Sequence, residues 1–281
     1  MFKRQIRKVE TFSIICILLT AFFFLLAACL NNQLEQNLLK GKVYFSNGDY
    51  EEAIHYYSLA IKSDPKYQMA YLNRGIAEVN YHEIREAIID FDKAIELDSL
   101  SYLAYYERGY SYVKQNNLTS ALSDFTKAIN LKPDYVVAYI NRGYVYSELE
   151  DNAEAILDYN RSIALDSLNM HAYYDRGSTE WDLRDTVKAL KDFNKAIILK
   201  PDTFLAYNER GLVRLSLGDR IGALSDFNKA IKFNPGLNVA YYNKALAEYL
   251  MDSVEQACRD WHKSLDMGVS DAAEKIRKYC K

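Results

Sequence analysis

The chain has 281 residues, enough for one large or two ordinary domains, and is 49% hydrophobic and 26% charged, which excludes both a disordered chain and one wholly embedded in a membrane. Its 35 basic and 38 acidic groups leave a net charge of −3, and no long basic run lies beyond the N-terminus, so the charge gives no reason to expect nucleic acid as a partner. With only 11 Gly and 4 Pro in a background rich in Ala, Leu, Lys and Asp, the composition favours helix.

The first ten residues are basic, with Lys3, Arg4, Arg7 and Lys8 against Glu10, and residues 11–30 carry no charge. A basic start followed by an apolar run reads as a secretory signal over residues 1–28. The run is also about long enough to span a bilayer, so an uncleaved anchor is the second reading. Leu26-Ala27-Ala28-Cys29 resembles the bacterial lipobox. That resemblance implies acylation of Cys29, cleavage just before it and a short lipidated tether over residues 29–33. In both readings the basic flank stays in the cytoplasm and the rest is exported. Leu30 stands where the enterobacterial inner-membrane retention signal would place Asp, so the resemblance implies an outer-membrane lipoprotein facing the periplasm or the surface. Without residues 1–28 the body has 31 basic and 37 acidic groups, a net charge of −6.

From Leu34 to Asp271 the sequence repeats every 34 residues without insertion or deletion, in seven copies: 34–67, 68–101, 102–135, 136–169, 170–203, 204–237 and 238–271. Position 8 of the repeat holds Gly41, Gly75, Gly109, Gly143, Gly177, Gly211 and Ala245, and position 20 is Ala in all seven copies. Position 24 is aromatic from Tyr57 to Trp261, position 4 is Tyr from Tyr71 to Tyr241, and all 4 prolines fall on position 32. Positions 4, 8 and 11 share one face of a first helix, A, and positions 20, 24, 27 and 28 one face of a second, B. Gly at 8 opposite Ala at 20 predicts a close approach of A and B, with the rings filling the space on either side. Pro at 32 ends helix B. No such unit buries its apolar face alone, so neighbours must stack.

These residues resemble the tetratricopeptide repeat family, over about 85% of the chain. The resemblance implies an all-α fold, a right-handed α-solenoid of seven helix-turn-helix repeats, with residues 272–281 as a C-terminal capping helix. It also implies that protein or peptide partners bind along helix A. The family's groove positions carry Leu72, Asn73, Tyr106, Tyr110, Ile140, Asn141, Tyr144, Tyr174, Trp181 and Tyr242 here, and these are the candidate partner-binding residues. Position 6 is polar from the second repeat on, with Asn73, Glu107, Asn141, Asp175, Glu209 and Asn243. The Lys/Asn set that some members use for acidic C-terminal peptides is not assembled: Lys42 and Asn73 are fragments of it.

One departure from the family stands out. Position 7, usually apolar, is Lys40, Arg74, Arg108, Arg142, Arg176, Arg210 and Lys244, and position 23 is Asp in repeats 2–7 but Tyr56 in the first. Because the acids recur in step with the cations, a ladder of A–B ion pairs is expected, in preference to an anion-binding row. Cys258 on helix B of the last repeat and Cys280 in the cap are exported thiols, for which a disulfide is expected and two free thiols are the alternative.

No catalytic constellation is found. His55, His82, His171 and His262 stand at unrelated positions, and the segment HEIRE from His82 has Glu86 where a zinc-peptidase helix needs its second His. No cofactor or metal is expected. Asp98-Ser99-Leu100 and Asp166-Ser167-Leu168 resemble the O-glycosylation acceptor of Bacteroidota envelope proteins, although Asp and Ser also suit the turn after helix B. The expected function is a membrane-anchored scaffold or adaptor in the bacterial envelope. A surface receptor or transport accessory for peptide or glycan ligands is the alternative.

Overall fold

The computed structural model describes residues 32–280. The export signal, Cys29 and the start of the tether lie outside the described residues. The described residues form helices and the turns between them, without a strand. They fall into two compact units, one ending at Pro133 and one beginning at Asp134.

The first unit holds α1 (32–47), α2 (Tyr50–Ser63), α3 (Gln68–Asn80), α4 (Ile84–Leu97), α5 (Tyr102–Lys114) and α6 (Leu118–Leu131). The second holds α7 (Val136–Glu148), α8 (Asn152–Leu165), α9 (Met170–Asp182), α10 (Thr186–Leu199), α11 (Phe204–Ser216), α12 (Arg220–Phe233), α13 (Asn238–Tyr249), α14 (Val254–Asp266) and α15 (Ala272–Tyr279). Odd-numbered helices up to α13 are A helices and even-numbered ones B helices. Their contacts show that each pair runs antiparallel. In the pair α5–α6, Tyr105 at position 4 meets Lys127 at 26, and Arg108 at 7 meets Asp124 at 23; in α11–α12, Arg214 at 11 reaches the carbonyl of Gly222 at 19.

The turn from A to B places position 15 in the left-handed region in every copy, at Gly48, His82, Asn116, Glu150, Arg184, Gly218 and Asp252. Only Gly adopts that conformation without strain, yet five copies carry a side chain there. Helix B then starts from a short polar residue: Asn117, Asp185 and Asp219 accept the backbone N–H groups of Ser120, Lys188 and Gly222. It ends at position 31, which is extended. There Asp64, Asp98, Asp166 and Asn234 each accept the N–H two residues on, at 2.9–3.0 Å. Asp98 and Asp166 make this turn without a following Pro, so the first residue of each Asp-Ser-Leu triplet has a structural role.

The A–B interface is set by one small residue under one large ring. Position 24 is buried in every copy, from Tyr57 through Phe91, Phe125, Tyr159, Phe193 and Phe227 to Trp261. The nearest contact of Gly at 8 is the ring at position 24, and in the last repeat Ala245 at 8 shares a cluster with both Ala257 at 20 and Trp261 at 24. A Cβ added to Gly75 would lie 2.6 Å from the Phe91 ring, and one on Gly211 2.6 Å from Phe227, so the glycine makes room for position 24. Gly177 is looser, with 3.2 Å to Phe193. We therefore expect Gly75→Ala to destabilise, because an overpacking cost of about 1–3 kcal/mol exceeds the roughly 1 kcal/mol that Ala gains in helix propensity. Gly177→Ala, whose Cβ would meet Asp192 Cβ and the Phe193 ring at 3.2 Å, should cost less than Gly75→Ala. Denaturant midpoints of the two variants check the contrast.

Candidate functional site

The position 7 cations are engaged within the fold. Each Arg presents Nε and Nη2 to both carboxylate oxygens of the Asp at 23: Arg74 to Asp90, Arg108 to Asp124, Arg142 to Asp158, Arg176 to Asp192 and Arg210 to Asp226, at 2.6–2.9 Å. The forks also use their third nitrogen. Nη1 of Arg74, Arg108, Arg176 and Arg210 donates to Ser58, Asp92, Asn160 and Asn194, each at position 25 of the preceding B helix. One guanidinium thus joins three helices, which a point-charge Lys does less well. Lys244 reaches Asp260 at 2.6 Å and Glu248 at 3.4 Å. In the first repeat Lys40 sits 5.2 Å from the centre of the Tyr56 ring that replaces the acid. The Tyr side chains at position 4 flank the guanidiniums, with Tyr207 5.4 Å from that of Arg210.

Beside this ladder, Glu78 and Glu180 at position 11 are buried, and one oxygen of each lacks a partner. Burial first, and then the charge of Asp90, pushes the Glu78 carboxyl from its ordinary 4.5 up to about 8, against the opposing pull of Arg74. The folded state therefore holds a proton that the unfolded state has released, and stability falls as pH rises from about 4.5 to about 8. Glu78→Gln should flatten this slope and gain most over the parent at the alkaline end. Urea midpoints measured across that range test the sign.

The candidate partner-binding residues divide between the units. In the first, Leu72 is 1% exposed and packs on Phe91 within the core, so its assignment to an accessible groove is corrected. Asn73 borders a hollow of about 590 Å³ with Leu38, Leu39, Phe45 and Met69. Tyr106 tilts against Phe125 at 5.7 Å. Tyr110 borders a second hollow of about 420 Å³ with Ile76, His82, Glu107 and Lys114, and the Lys114 ammonium lies 5.1 Å from its ring centre. Burial pushes the Glu107 carboxyl up to about 7. His82 occupies the left-handed turn rather than a helix, which breaks any metal-binding register with residue 86.

In the second unit Ile140 is 9% exposed and is likewise core rather than groove. Asn141 donates to the Val137 carbonyl. Tyr144 is 41% exposed, the most open of the candidate rings. Tyr174 is half-buried against Phe193, Trp181 packs on the same cluster, and Tyr242 borders the cluster around Trp261. Successive A helices touch, α7 with α9, α9 with α11 and α11 with α13, so the outer positions of these helices form one face. Two residues outside the candidate list matter on that face. Burial pushes the carboxyl of Asp175 up to about 7 and raises that of Glu209. Their signal in the sequence was an acid at position 6 beside aromatic neighbours.

Cys258 and Cys280 are disulfide-bonded, with Cα atoms 5.6 Å apart and a sequence separation of 22. Closing a loop of that length is worth about 3 kcal/mol. Cys280→Ser should remove that stabilisation from α14 and α15, seen as faster amide exchange there. An intact mass that does not change on reduction would overturn the pairing. Among the described residues no helix is long and apolar enough to cross a membrane, and no His, Cys, Asp and Glu group could hold a metal ion.

Comparisons with known proteins agree with this geometry. Family models described as TPR repeat match residues 41–79 and 109–150, and those described as Tetratricopeptide repeat match residues 140–202 and 174–238. No curated protein sequence matches significantly. A tetratricopeptide repeat protein from Parabacteroides merdae superposes with a TM-score of 0.69 at 19% identity, covering 88% of this chain and 97% of that one. Pseudomonas aeruginosa pilF gives 0.68 at 13% identity, over 75% and 96%. YrrB, described as a TPR protein with an unusual peptide-binding site, gives 0.54 at 25% identity, over 67% and 97%.

Proposed function

The chain belongs to the tetratricopeptide repeat family, and from that premise we propose that it is a binding scaffold of the bacterial cell envelope, held to a membrane by an acyl chain on Cys29. The observation that carries the binding role is the A-helix face of the second unit, where Tyr144 is exposed and Tyr174 and Trp181, packed on the core at one side, are only partly buried. Rings held on rigid helices give contact area at low entropy cost. Every position 7 cation described above has an intramolecular partner, so the ladder supports the fold and leaves the A-helix face to the ligand. The anchor rests on Leu26-Ala27-Ala28-Cys29.

The test has two arms. Metabolic labelling with an alkyne fatty acid should tag the chain, and Cys29→Ala should abolish the tag. In-cell crosslinking of the native chain, beside a variant with Tyr144 and Tyr174 changed to Ala, should capture a partner that the variant loses. Partners that persist in the variant would overturn the binding face. Protease accessibility on intact cells separates a shielded periplasmic scaffold from a surface receptor.

A further inference from the structure

The A-helix face of the second unit is one-sided in charge. At positions 2, 5, 6, 9, 12 and 13 of α7, α9, α11 and α13, of which position 5 is partly core, there is no Lys or Arg and one His, His171, while Glu148, Asp175, Asp182 and Glu209 stand there. The Arg side chains of these helices cannot compensate, because position 7 is held by the ladder and Arg214 is drawn to Asp226 at 2.8 Å. Among the described residues Asp175 has no hydrogen-bonded or ionic partner for its carboxylate, and Glu209 has only the Asn208 amide at 3.0 Å, itself tied to Asn243. Both carboxyls titrate higher than usual through burial, with no cation lowering them. Position 2 adds apolar surface at Val137, Leu205 and Val239, which are 36–41% exposed, with the exposed His171 of α9 between the first two.

We infer that this face takes an extended basic segment of a partner protein, whose Lys or Arg side chains reach Asp175 and Glu209 while its apolar side chains lie on Val137, Leu205 and Val239. The inference rests on the scaffold reading and specifies its ligand. Charge complementarity selects the occupant: an acidic segment would add like charge to carboxylates that already lack a counter-ion, and a neutral one would leave them uncompensated. Asp175 and Glu209 share position 6 on successive A helices that touch over a short length, and helices in contact are spaced on the order of 10 Å. A polyproline-type chain advances about 9 Å in three residues and returns to the same face. The matching ligand therefore carries a cation at every third residue.

The experiment uses the full chain in detergent and a labelled peptide of repeated Leu-Pro-Lys triplets, with Leu-Pro-Gln and Leu-Pro-Glu analogues, read by fluorescence anisotropy at physiological salt. The Lys peptide should bind, the Gln analogue more weakly and the Glu analogue not at all. Asp175→Asn with Glu209→Gln should weaken the Lys peptide about ten-fold or more, while Glu154→Gln with Asp202→Asn, on exposed acids away from this face, should leave it unchanged. Circular dichroism confirms that each variant folds. Equal binding of the Gln analogue, lost on Tyr144→Ala, would overturn the basic specificity and keep the binding face. Equal weakening by both charge pairs would reduce the effect to general acidity and overturn the inference, as would failure of the Lys peptide to bind. In that last case the crosslinking arm above decides separately whether the face binds another ligand.

Discussion

Replacing Asp226 with alanine is expected to cost about 3–5 kcal/mol, the range found when one partner of a buried ion pair is removed. Its side chain is 1% exposed and accepts from Arg210 Nε at 2.8 Å, Arg210 Nη2 at 2.6 Å and Arg214 Nη1 at 2.8 Å. Removing it takes two acceptors from the Arg210 guanidinium, 11% exposed between α11, α12 and α10, while Nη1 still holds Asn194. Arg214 suffers less, because it can turn toward Asp219, 3.8 Å away at the surface. The double change Arg210→Met with Asp226→Leu should recover most of the loss, since a well-packed apolar pair of similar volume replaces an ion pair at little net cost. Denaturant unfolding of the parent, the single and the double variant measures both numbers. A single variant within 1 kcal/mol of the parent would show that the ladder is solvated and carries no weight.

That ladder shows how far the residues can be read without coordinates. A cation at 7 and an acid at 23 recur sixteen residues apart in repeats 2–7, so the pairing was legible from periodicity alone. The third contact was not, because its acceptor at position 25 changes from Ser58 to Asp92 to Asn160 and only geometry makes these equivalent. The left-handed turn at position 15 escaped for the same reason: His82, Glu150 and Arg184 share a backbone conformation and no side-chain chemistry. On the A-helix face the pattern placed two buried residues among the candidates. Position 5 straddles the edge of the core, so Leu72 and Ile140 turn inward while Tyr106 and Tyr174, too long to be enclosed, keep an open edge. The acids at 6 were visible as residues. Their lack of counter-ions was not, since it depends on which cations the fold has already engaged.

The last repeat breaks the pattern at both contact positions, with Ala245 where the others have Gly and Trp261 where they have Phe or Tyr, and the second large effect is expected there. Trp261 is 0% exposed, and its ring is stacked 5.8 Å from Tyr279 of α15 and tilted 5.7 Å from Tyr249 of α13. One side chain thus joins the final helix pair to its cap. Trp261→Ala should cost about 3–5 kcal/mol, through lost transfer energy and a cavity that the disulfide-tethered cap cannot fully collapse. The indole Nε1 has no hydrogen-bond partner, so part of the residue's burial is spent against an unpaired donor. Trp261→Phe, which keeps most of the ring and removes that donor, should therefore cost much less than the alanine change. Because stacked repeats are stabilised mainly by their nearest neighbours, the damage should stay local. Amide exchange in Trp261→Ala should accelerate across α13, α14 and α15 while α7 and α8 keep their protection. Uniform loss of protection through the second unit would instead show that its helix pairs fold as a single cooperative block.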